Sequence, residues 1–168
     1  MAAQPAVSSI DELEEYAATH LPKMARDYFN GGSIDGITLR RNRQEYQKYY
    51  IRPRVLRDVS RISTTTKVFP EGRSLPFPCC VAPAAMQGMA HPLGEIGTAR
   101  ACGRFGSVMG LSTFATASLE DVKAAADQAR KDSGNNGESE CILQLYLFQN
   151  RDTSLTLIRR AEREYIPT

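Results

Sequence analysis

The residues best suited to chemistry follow predicted strands, at the points where those strands end. Ser112 closes one apolar run, and Gln144 interrupts another. A glutamine inside a buried run needs hydrogen-bond partners for its amide, so polar groups are expected around it. Tyr146 lies two residues further on and therefore shares the strand face of Gln144. The sequence thus predicts an amide and a phenol hydroxyl on one face at a strand end.

Strands and helices alternate through the second half of the chain. Apolar runs typical of strands that are buried on both faces occupy residues 77–82, 107–112 and 141–148. Apolar residues at helical spacing follow each run. This alternation predicts an α/β architecture with parallel strands and right-handed crossovers.

Several helix starts can be predicted from their capping residues. Ser9 and Glu12 have the spacing of a capping box, and Ser118 is predicted to cap the helix after the second run. Asp152 or Thr153 is predicted to cap the helix after the third. Helices precede every strand in the N-terminal part, which is therefore expected to cap the strands.

Composition bounds the function classes. The 168 residues carry a formal net charge of +2, which is near balance and favours no polyanionic partner. No apolar run of about 18 residues is present, so no membrane partner is expected. The four cysteines include no Cys-x-x-Cys pair. They are predicted to be free, buried thiols, and no metal site is predicted.

The most basic segment, residues 40–61, has two interpretations. Arginines are interleaved there with Tyr46, Tyr49 and Tyr50, and basic patches with aromatic residues can bind nucleic acid. The alternative is a solvated surface on which arginine stems cover apolar area. The second interpretation is preferred, and no nucleic-acid partner is predicted, because part of the segment also matches a family motif.

Several tracts of the chain resemble one enzyme family. They are APAAMQGMAHPLGE (82–95), GLSTFATAS (110–118), QLY (144–146), KMARDYFNGG (23–32) and RPRVLRDV (52–59). The chain resembles the FMN-dependent 2-hydroxy-acid oxidases and dehydrogenases, the family of glycolate oxidase, lactate oxidase and flavocytochrome b2. The tracts follow the family's order and are spread over nearly the whole chain.

The resemblance implies a (β/α)8 TIM barrel. Residues 1–168 are expected to form the N-terminal part of one FMN-dependent hydroxy-acid dehydrogenase domain, with a helical cap and floor hairpin at 1–76 and a partial barrel at 77–168. The partial barrel would hold the first three βα units and be truncated at strand four. A complete barrel needs about 250 residues, so a fragment or a short product is expected.

The resemblance also implies a cofactor site for FMN. The backbone of Pro83, Ala84 and Ala85 is expected to run along the flavin ring, where small side chains let the main chain approach. Ser112 is expected to contact the flavin through its hydroxyl. Gln144 is expected to bind the pyrimidine edge of the ring, whose donors and acceptors suit an amide.

Tyr28 and Tyr146 are the substrate-binding residues that the resemblance implies. In the family, the first of these phenols binds the substrate carboxylate and the second faces the substrate. Helical periodicity alone would instead make Tyr28 an aromatic residue on a buried helix face. Phe114 matches a position in the wall around the substrate side chain, with ordinary loop packing as its alternative.

The implied reaction is FMN-dependent oxidation of an L-2-hydroxy acid to the 2-oxo acid, with hydride transfer to flavin N5. The family uses a His base, an Arg and a Lys. These are expected beyond Thr168, because neither His20 nor His91 matches the base position. No catalytic residue is therefore predicted within the chain, which is expected to be inactive alone. The alternative is a non-catalytic short product that acts as an interaction module.

The expected partner is a small 2-hydroxy acid, and a full-length relative is expected to be a homo-oligomer. Met1 and the residues after it show no charged segment followed by an apolar core, which argues against a secretory signal. A cytoplasmic location is predicted, with a peroxisomal or mitochondrial one left open for a full-length form.

Overall fold

The computed structural model describes residues 6–68, 74–134 and 139–165. The chain divides into two compact units, Met1–Arg61 and Ile62–Thr168. The strands of the described residues all belong to the second unit, and the first is helical. The antiparallel hairpin at residues 66–75, described below, therefore lies in the second unit.

The first unit contains three helices: α1 (Ile10–His20), α2 (Lys23–Asn30) and α3 (Ile37–Gln44). A 3-10 turn at Glu45–Lys48 continues α3. The predicted cap of α1 is confirmed, because the Ser9 hydroxyl accepts a hydrogen bond from the N–H of Glu12 at 3.2 Å. An exposed ion pair between Glu14 and Arg43 joins α1 to α3.

The second unit opens with a hairpin in which β1 (Thr66–Lys67) pairs antiparallel with β2 (Ser74–Leu75). The remaining elements are α4 (Gly94–Phe105), β3 (Met109–Leu111), α5 (Leu119–Asp132), β4 (Cys141–Leu143) and α6 (Arg151–Tyr165). β3 and β4 are parallel, with Met109 opposite Cys141 and Leu111 opposite Leu143. The predicted parallel α/β architecture is confirmed for this unit.

All three strands are shorter than their apolar runs, and the run at 107–112 forms a strand only over Met109–Leu111. The strand predicted at 77–82 is reduced to a parallel bridge between Val81 and Met109. Prolines within and beside this run remove backbone donors, which limits strand pairing. The strand predicted at 141–148 ends at Leu143. The N–H of Gln144 still donates to the carbonyl of Leu111, and beyond it the Thr113 hydroxyl takes the place of a backbone partner.

The core of the second unit lies between α4, α5 and the parallel strands. Its buried residues are Ala99, Cys102, Met109, Leu111, Leu119, Val122, Ala126 and Cys141. Gly103 permits a close approach of α4 to α5, since a Cβ at this position would lie 2.0 Å from the carbonyl oxygen of Ala126. Arg160 joins α6 to α5 through two hydrogen bonds to the Glu120 carboxylate, at 2.9 and 2.7 Å.

One of the predicted helix starts in this unit is wrong. The Ser118 hydroxyl accepts the N–H of Asp121 and caps α5, as predicted. At α6, the side-chain oxygen of Asn150 accepts the N–H of Asp152 at 2.9 Å. The helix therefore begins earlier than a cap at Asp152 or Thr153 would give.

The cysteines are all free, but only two of them are buried. Cys102 and Cys141 lie in the core, and burial raises the pKa of the Cys141 thiol to about 12. Cys79 and Cys80 are exposed, contrary to the prediction, because their segment pairs only through the bridge at Val81. Within residues 6–68, 74–134 and 139–165, no helix is long and apolar enough to cross a membrane.

Candidate functional site

Candidate site residues meet at the carboxyl ends of β3 and β4. The N–H of Gln144 donates to the carbonyl of Leu111 at 2.8 Å and extends the pairing one step past β4. The Thr113 hydroxyl donates to the carbonyl of Gln144 at 2.5 Å and accepts the N–H of Tyr146 at 3.0 Å. Thr113 thus takes the place of a backbone partner and fixes the segment 144–146 against the end of β3.

The side chain of Gln144 is held through its oxygen. Oε1 accepts hydrogen bonds from the Ser112 hydroxyl at 3.3 Å and from the N–H of Thr113 at 3.4 Å. Because a backbone N–H can only donate, the contact with Thr113 identifies the inward-facing atom as oxygen. No described residue accepts a hydrogen bond from the amide nitrogen. Gln144 therefore offers an N–H donor to a ligand.

Ser112 contacts this amide and is 5% exposed. Its hydroxyl donates to Gln144 and accepts the N–H of Phe114 at 3.2 Å. Within the described chain the hydroxyl therefore orients Gln144 and the turn that follows β3. Its predicted contact with a cofactor stays a prediction.

Small residues follow the bridge at Val81 and form the neighbouring part of the site. Gly110 makes room for this segment, since a Cβ there would lie 2.7 Å from Cδ of Pro83. The backbone N–H groups of Ala84 and Ala85 donate to no described residue. The carbonyl of Ala84 accepts a hydrogen bond from the Gln87 side chain at 3.2 Å. The segment thus presents two free backbone donors beside the strand ends.

A buried carboxylate ties together the two loops that carry these groups. Glu95, in the first turn of α4, is fully buried. It accepts the N–H of Gln87 at 3.0 Å, the N–H of Thr116 at 3.0 Å and the Thr116 hydroxyl. Burial by itself raises the pKa of the Glu95 carboxyl, but the hydrogen bonds from Thr116 and Gln87 outweigh it, and the pKa lies below its ordinary value of 4.5.

Acid is expected to remove the stabilisation that ionised Glu95 provides. Because its pKa is lower in the folded chain, the contribution is present above about pH 4.5 and is lost as the pH falls through the lowered value. Urea midpoints of the parent and of Glu95→Gln, measured from about pH 7 to about pH 3, should therefore converge on acidification. A difference that stays constant over this range would contradict the expectation, and Glu162→Gln on an exposed part of α6 is the control.

Two aromatic rings flank the strand ends. Phe114 and Tyr146 lie with their ring centroids 5.3 Å apart and their planes tilted by 32°. Both side chains are half exposed. No described residue hydrogen-bonds to the phenol hydroxyl of Tyr146, so this group, too, is available to a ligand.

Tyr28 belongs to the first unit, where it lies on α2. Its side chain is half exposed and packs edge-to-face against Phe29, with centroids 5.0 Å apart. The interpretation of Tyr28 as a residue of a buried helix face is therefore wrong. Its role in substrate binding stays a prediction.

The chain's two histidines are engaged in local contacts. His20 stacks on Tyr16 with ring centroids 3.8 Å apart. Nδ1 of His91 accepts the N–H of Leu93 at 3.1 Å and stabilises the turn before α4. Within the second unit, the His91 ring contacts neither Gln144 nor Tyr146 among the described hydrogen bonds and ring contacts.

Sequence reasoning did not identify Thr113, Glu95 or Thr116 as site residues. Their roles depend on contacts between loops that are 21 to 33 residues apart in the chain. One local signal was available for Glu95. An acidic residue in a first helical turn, directly after a glycine, is favoured by the helix dipole and can accept backbone N–H groups.

Comparisons with known proteins identify the family to which this chain belongs. The profile of the FMN-dependent dehydrogenase family matches residues 17–168. The chain belongs to the FMN-dependent dehydrogenase family. This confirms the resemblance of the sequence to that family of flavoproteins, in which the cofactor is FMN.

Individual relatives within the FMN-dependent dehydrogenase family agree with this assignment. Glycolate oxidase 3 of Oryza sativa subsp. indica is 40% identical over 156 residues, which are 93% of this chain and 39% of the relative. A 2-hydroxyacid oxidase of Dictyostelium discoideum is 42% identical over 92% of this chain and 37% of its own length. The chain thus spans about two fifths of the length of these relatives.

Solved structures of similar fold include a mandelate oxidase variant with (S)-mandelic acid. The two share 32% identity and superpose with a TM-score of 0.82 over 94% of this chain and 43% of that structure. These oxidases have the TIM-barrel fold, so the α/β units described here match part of that fold.

The free donors at the strand ends fit an isoalloxazine ring. The ring carries carbonyl oxygens and ring nitrogens that accept hydrogen bonds, and the chain offers N–H groups at Ala84, Ala85 and Gln144. Adjacent strands lie about 4.8 Å apart, so these donors span roughly two strand spacings, or about 10 Å. A planar three-ring system can bridge that span.

Proposed function

We propose that this chain supplies the flavin-binding edge and the substrate-binding phenols of an enzyme that oxidises an L-2-hydroxy acid to the 2-oxo acid. The observation that carries the proposal is the set of free N–H donors at Ala84, Ala85 and Gln144 in a member of the FMN-dependent family. Glycolate oxidases and a 2-hydroxyacid oxidase among the relatives indicate the class of substrate.

The proposed division of work leaves the electron chemistry to the cofactor. Bound FMN supplies the acceptor for the hydride that leaves the α-carbon of the hydroxy acid. Pro83, Ala84 and Ala85 lie along the ring, and the small side chains allow close contact. Gln144 donates from its amide nitrogen to the pyrimidine edge, while Ser112 holds the amide oxygen in place.

Tyr28 and Tyr146 are the proposed contacts of the substrate. A phenol is a neutral donor on a rigid stem, so it can bind a carboxylate or a developing carbonyl oxygen without changing the charge of the site. The hydroxyl of Tyr146 is free for this role. The Thr113 contact to its backbone N–H sets the position of the residue at the strand end.

The base, the carboxylate-binding cation and the lysine that stabilises charge on the flavin are proposed to lie outside residues 1–168. Neither His20 nor His91 matches the base position of the family, and both rings are engaged in local contacts. Loss of a general base alone costs about 10² to 10⁴ in rate. The chain alone is therefore expected not to turn over: an absorption spectrum of chain plus FMN that bleached without air on adding glycolate or lactate would contradict this.

A second candidate function rests on the edge of β4 that faces away from β3. No strand within the described residues pairs with this edge, and Ile142 on β4 is half exposed. An unpaired edge can accept a strand from another chain. A stable 168-residue product that copurifies with one defined partner and binds no FMN would favour this interaction module over the oxidoreductase.

The main test uses a hybrid oxidase, in which residues 1–168 replace the matching segment of spinach glycolate oxidase, a relative at 39% identity. Gln144→Leu is expected to raise the FMN dissociation constant about tenfold or more, because it removes the donor to the ring and leaves two inner donors without an acceptor. Titration of flavin fluorescence measures the effect.

The control for this substitution is Gln128→Leu, the same chemical change on α5, away from the strand ends. It should leave FMN affinity within about twofold of the parent hybrid, since surface changes rarely alter stability by more than about 0.5 kcal/mol. Equal affinities for Gln144→Leu and Gln128→Leu would overturn the assignment of Gln144. A parent hybrid that binds no FMN would overturn the proposed function.

A further inference from the structure

We propose that Glu95 is a positioning residue that sets the direction of the backbone donor of Ala85 through Gln87. The inference rests on the proposed function, because it concerns how the chain presents donors to FMN. Glu95 would not touch the cofactor itself. It would act through the loop 84–88, which it joins to the loop after β3.

The carboxylate of Glu95 forms a junction between the two loops. One oxygen of Glu95 accepts both the N–H of Gln87 and the N–H of Thr116, each at 3.0 Å. The second oxygen accepts the Thr116 hydroxyl, which itself accepts the N–H of Gly88 at 3.1 Å. The fully buried carboxylate thus organises donors from both loops.

Two glycines make this junction closely packed. A Cβ at Gly88 would lie 2.8 Å from the Thr116 hydroxyl oxygen, and a Cβ at Gly94 would lie 3.1 Å from the backbone nitrogen of Gly88. Glycine at both positions therefore lets the loop, the start of α4 and the Thr116 side chain come closer together than residues with a Cβ would allow.

The Gln87 side chain in turn holds the backbone segment that is proposed to face the flavin. The Gln87 side chain is held at one end by the Thr98 hydroxyl, which donates to its oxygen at 2.6 Å. Its nitrogen donates to the carbonyl of Ala84 at 3.2 Å. A trans peptide is planar, with its C=O and N–H on opposite sides, so holding the Ala84 carbonyl turns the N–H of Ala85 the other way. The free donor of Ala85 is thereby directed away from Gln87.

The test compares Glu95→Ala, Glu95→Gln and Thr116→Val in the hybrid oxidase, with Thr116→Ser as the matched control. Two quantities are measured: the FMN dissociation constant, and hydrogen exchange in peptides covering residues 83–90 and 111–117. Glu95→Ala and Thr116→Val are expected to weaken FMN binding about tenfold or more and to speed exchange in these two loops. Exchange in the core of α4 and α5 should change little.

Rescue by conservative variants separates positioning from bulk packing. Glu95→Gln keeps an oxygen for the N–H groups of Gln87 and Thr116, and Thr116→Ser keeps the hydroxyl. Both are expected to have FMN dissociation constants within about threefold of the parent. This change is smaller than the roughly tenfold increase expected when a hydrogen bond is lost. If Glu95→Ala fails to fold, the Thr116→Val and Thr116→Ser pair still decides the question.

Several outcomes would overturn the inference. One is a Glu95→Ala or Thr116→Val variant that binds FMN as the parent does. Another is a loss of affinity accompanied by equally faster exchange throughout α4 and α5, which would show a general loss of structure. These results leave the proposed function intact when Gln144→Leu still weakens binding. A parent hybrid without FMN affinity would instead overturn the proposed function, and this inference with it.

Discussion

Replacing Gly103 by alanine is expected to destabilise the second unit by about 3 kcal/mol or more. The added Cβ would lie 2.0 Å from the carbonyl oxygen of Ala126 and 2.8 Å from its carbonyl carbon. These are backbone atoms, so no rotamer change can relieve the overlap, and α4 must move away from α5. The movement would open the contacts of Cys102 and Val122, which form part of the core between the helices.

Urea denaturation followed by far-ultraviolet circular dichroism measures this effect. Gly97→Ala, on the same helix, is the matched control. Its Cβ would meet only the side chain of Leu93, at 3.3 Å, and alanine is favoured over glycine within a helix by about 1 kcal/mol. Its midpoint should therefore stay close to that of the parent. Similar midpoints for the two variants would show that α4 and α5 are not in close backbone contact.

Replacing Gly110 by alanine is expected to abolish most FMN binding by the hybrid oxidase. The Cβ would lie 2.7 Å from Cδ and 2.8 Å from Cγ of Pro83, and the ring of a proline cannot swing aside. Pro83 would have to move, and Ala84 and Ala85 would move with it. A displacement of about 1 Å can cost an enzyme about 100-fold in rate, and a comparable factor is expected in the affinity for a cofactor held by the displaced backbone. We expect an FMN dissociation constant raised by about that factor, together with a loss of about 1–3 kcal/mol of stability.

A control with backbone strain far from the site separates the two effects of Gly110→Ala. Gly134 has φ 74°, and a Cβ added there would meet no atom within 4 Å. Gly134→Ala therefore introduces backbone strain of about 1 kcal/mol without any overlap. It should lower the denaturation midpoint and leave FMN affinity unchanged. If Gly110→Ala behaves in the same way, Pro83 does not position the flavin-facing backbone.

Features that depend on neighbouring residues could be predicted from the sequence. The caps at Ser9 and Ser118 follow from a polar side chain three residues before an acidic one, and both are present. The alternation of short apolar runs with segments of helical spacing predicted the parallel strands. The isolated Gln144 was correctly predicted to have polar partners, because an amide in an apolar run requires them.

Features that depend on distant residues could not be predicted in the same way. The apolar run from Cys141 suggested a strand through residue 148, but the Thr113 hydroxyl replaces the backbone partner beyond the N–H of Gln144. Nothing in the spacing of Thr113 indicates that its hydroxyl meets a residue 31 positions later. The bond between Glu95 and Thr116 could not be predicted either, because the two residues are far apart in the chain. A carboxylate in a first helical turn is, moreover, most often solvated.

The core of the second unit is drawn from a short stretch of chain, and this bears on how the protein is made. Its buried members run from Ala99 to Cys141, and its main contacts join α4 to α5 and β3 to β4, which are elements separated by only one other element. Contacts of low sequence separation form early, and domains acquire structure from the N-terminal side during synthesis. We expect this core to assemble on the ribosome soon after Cys141 emerges, so that the loops 84–88 and 112–117 are in place while the residues that follow are still being added.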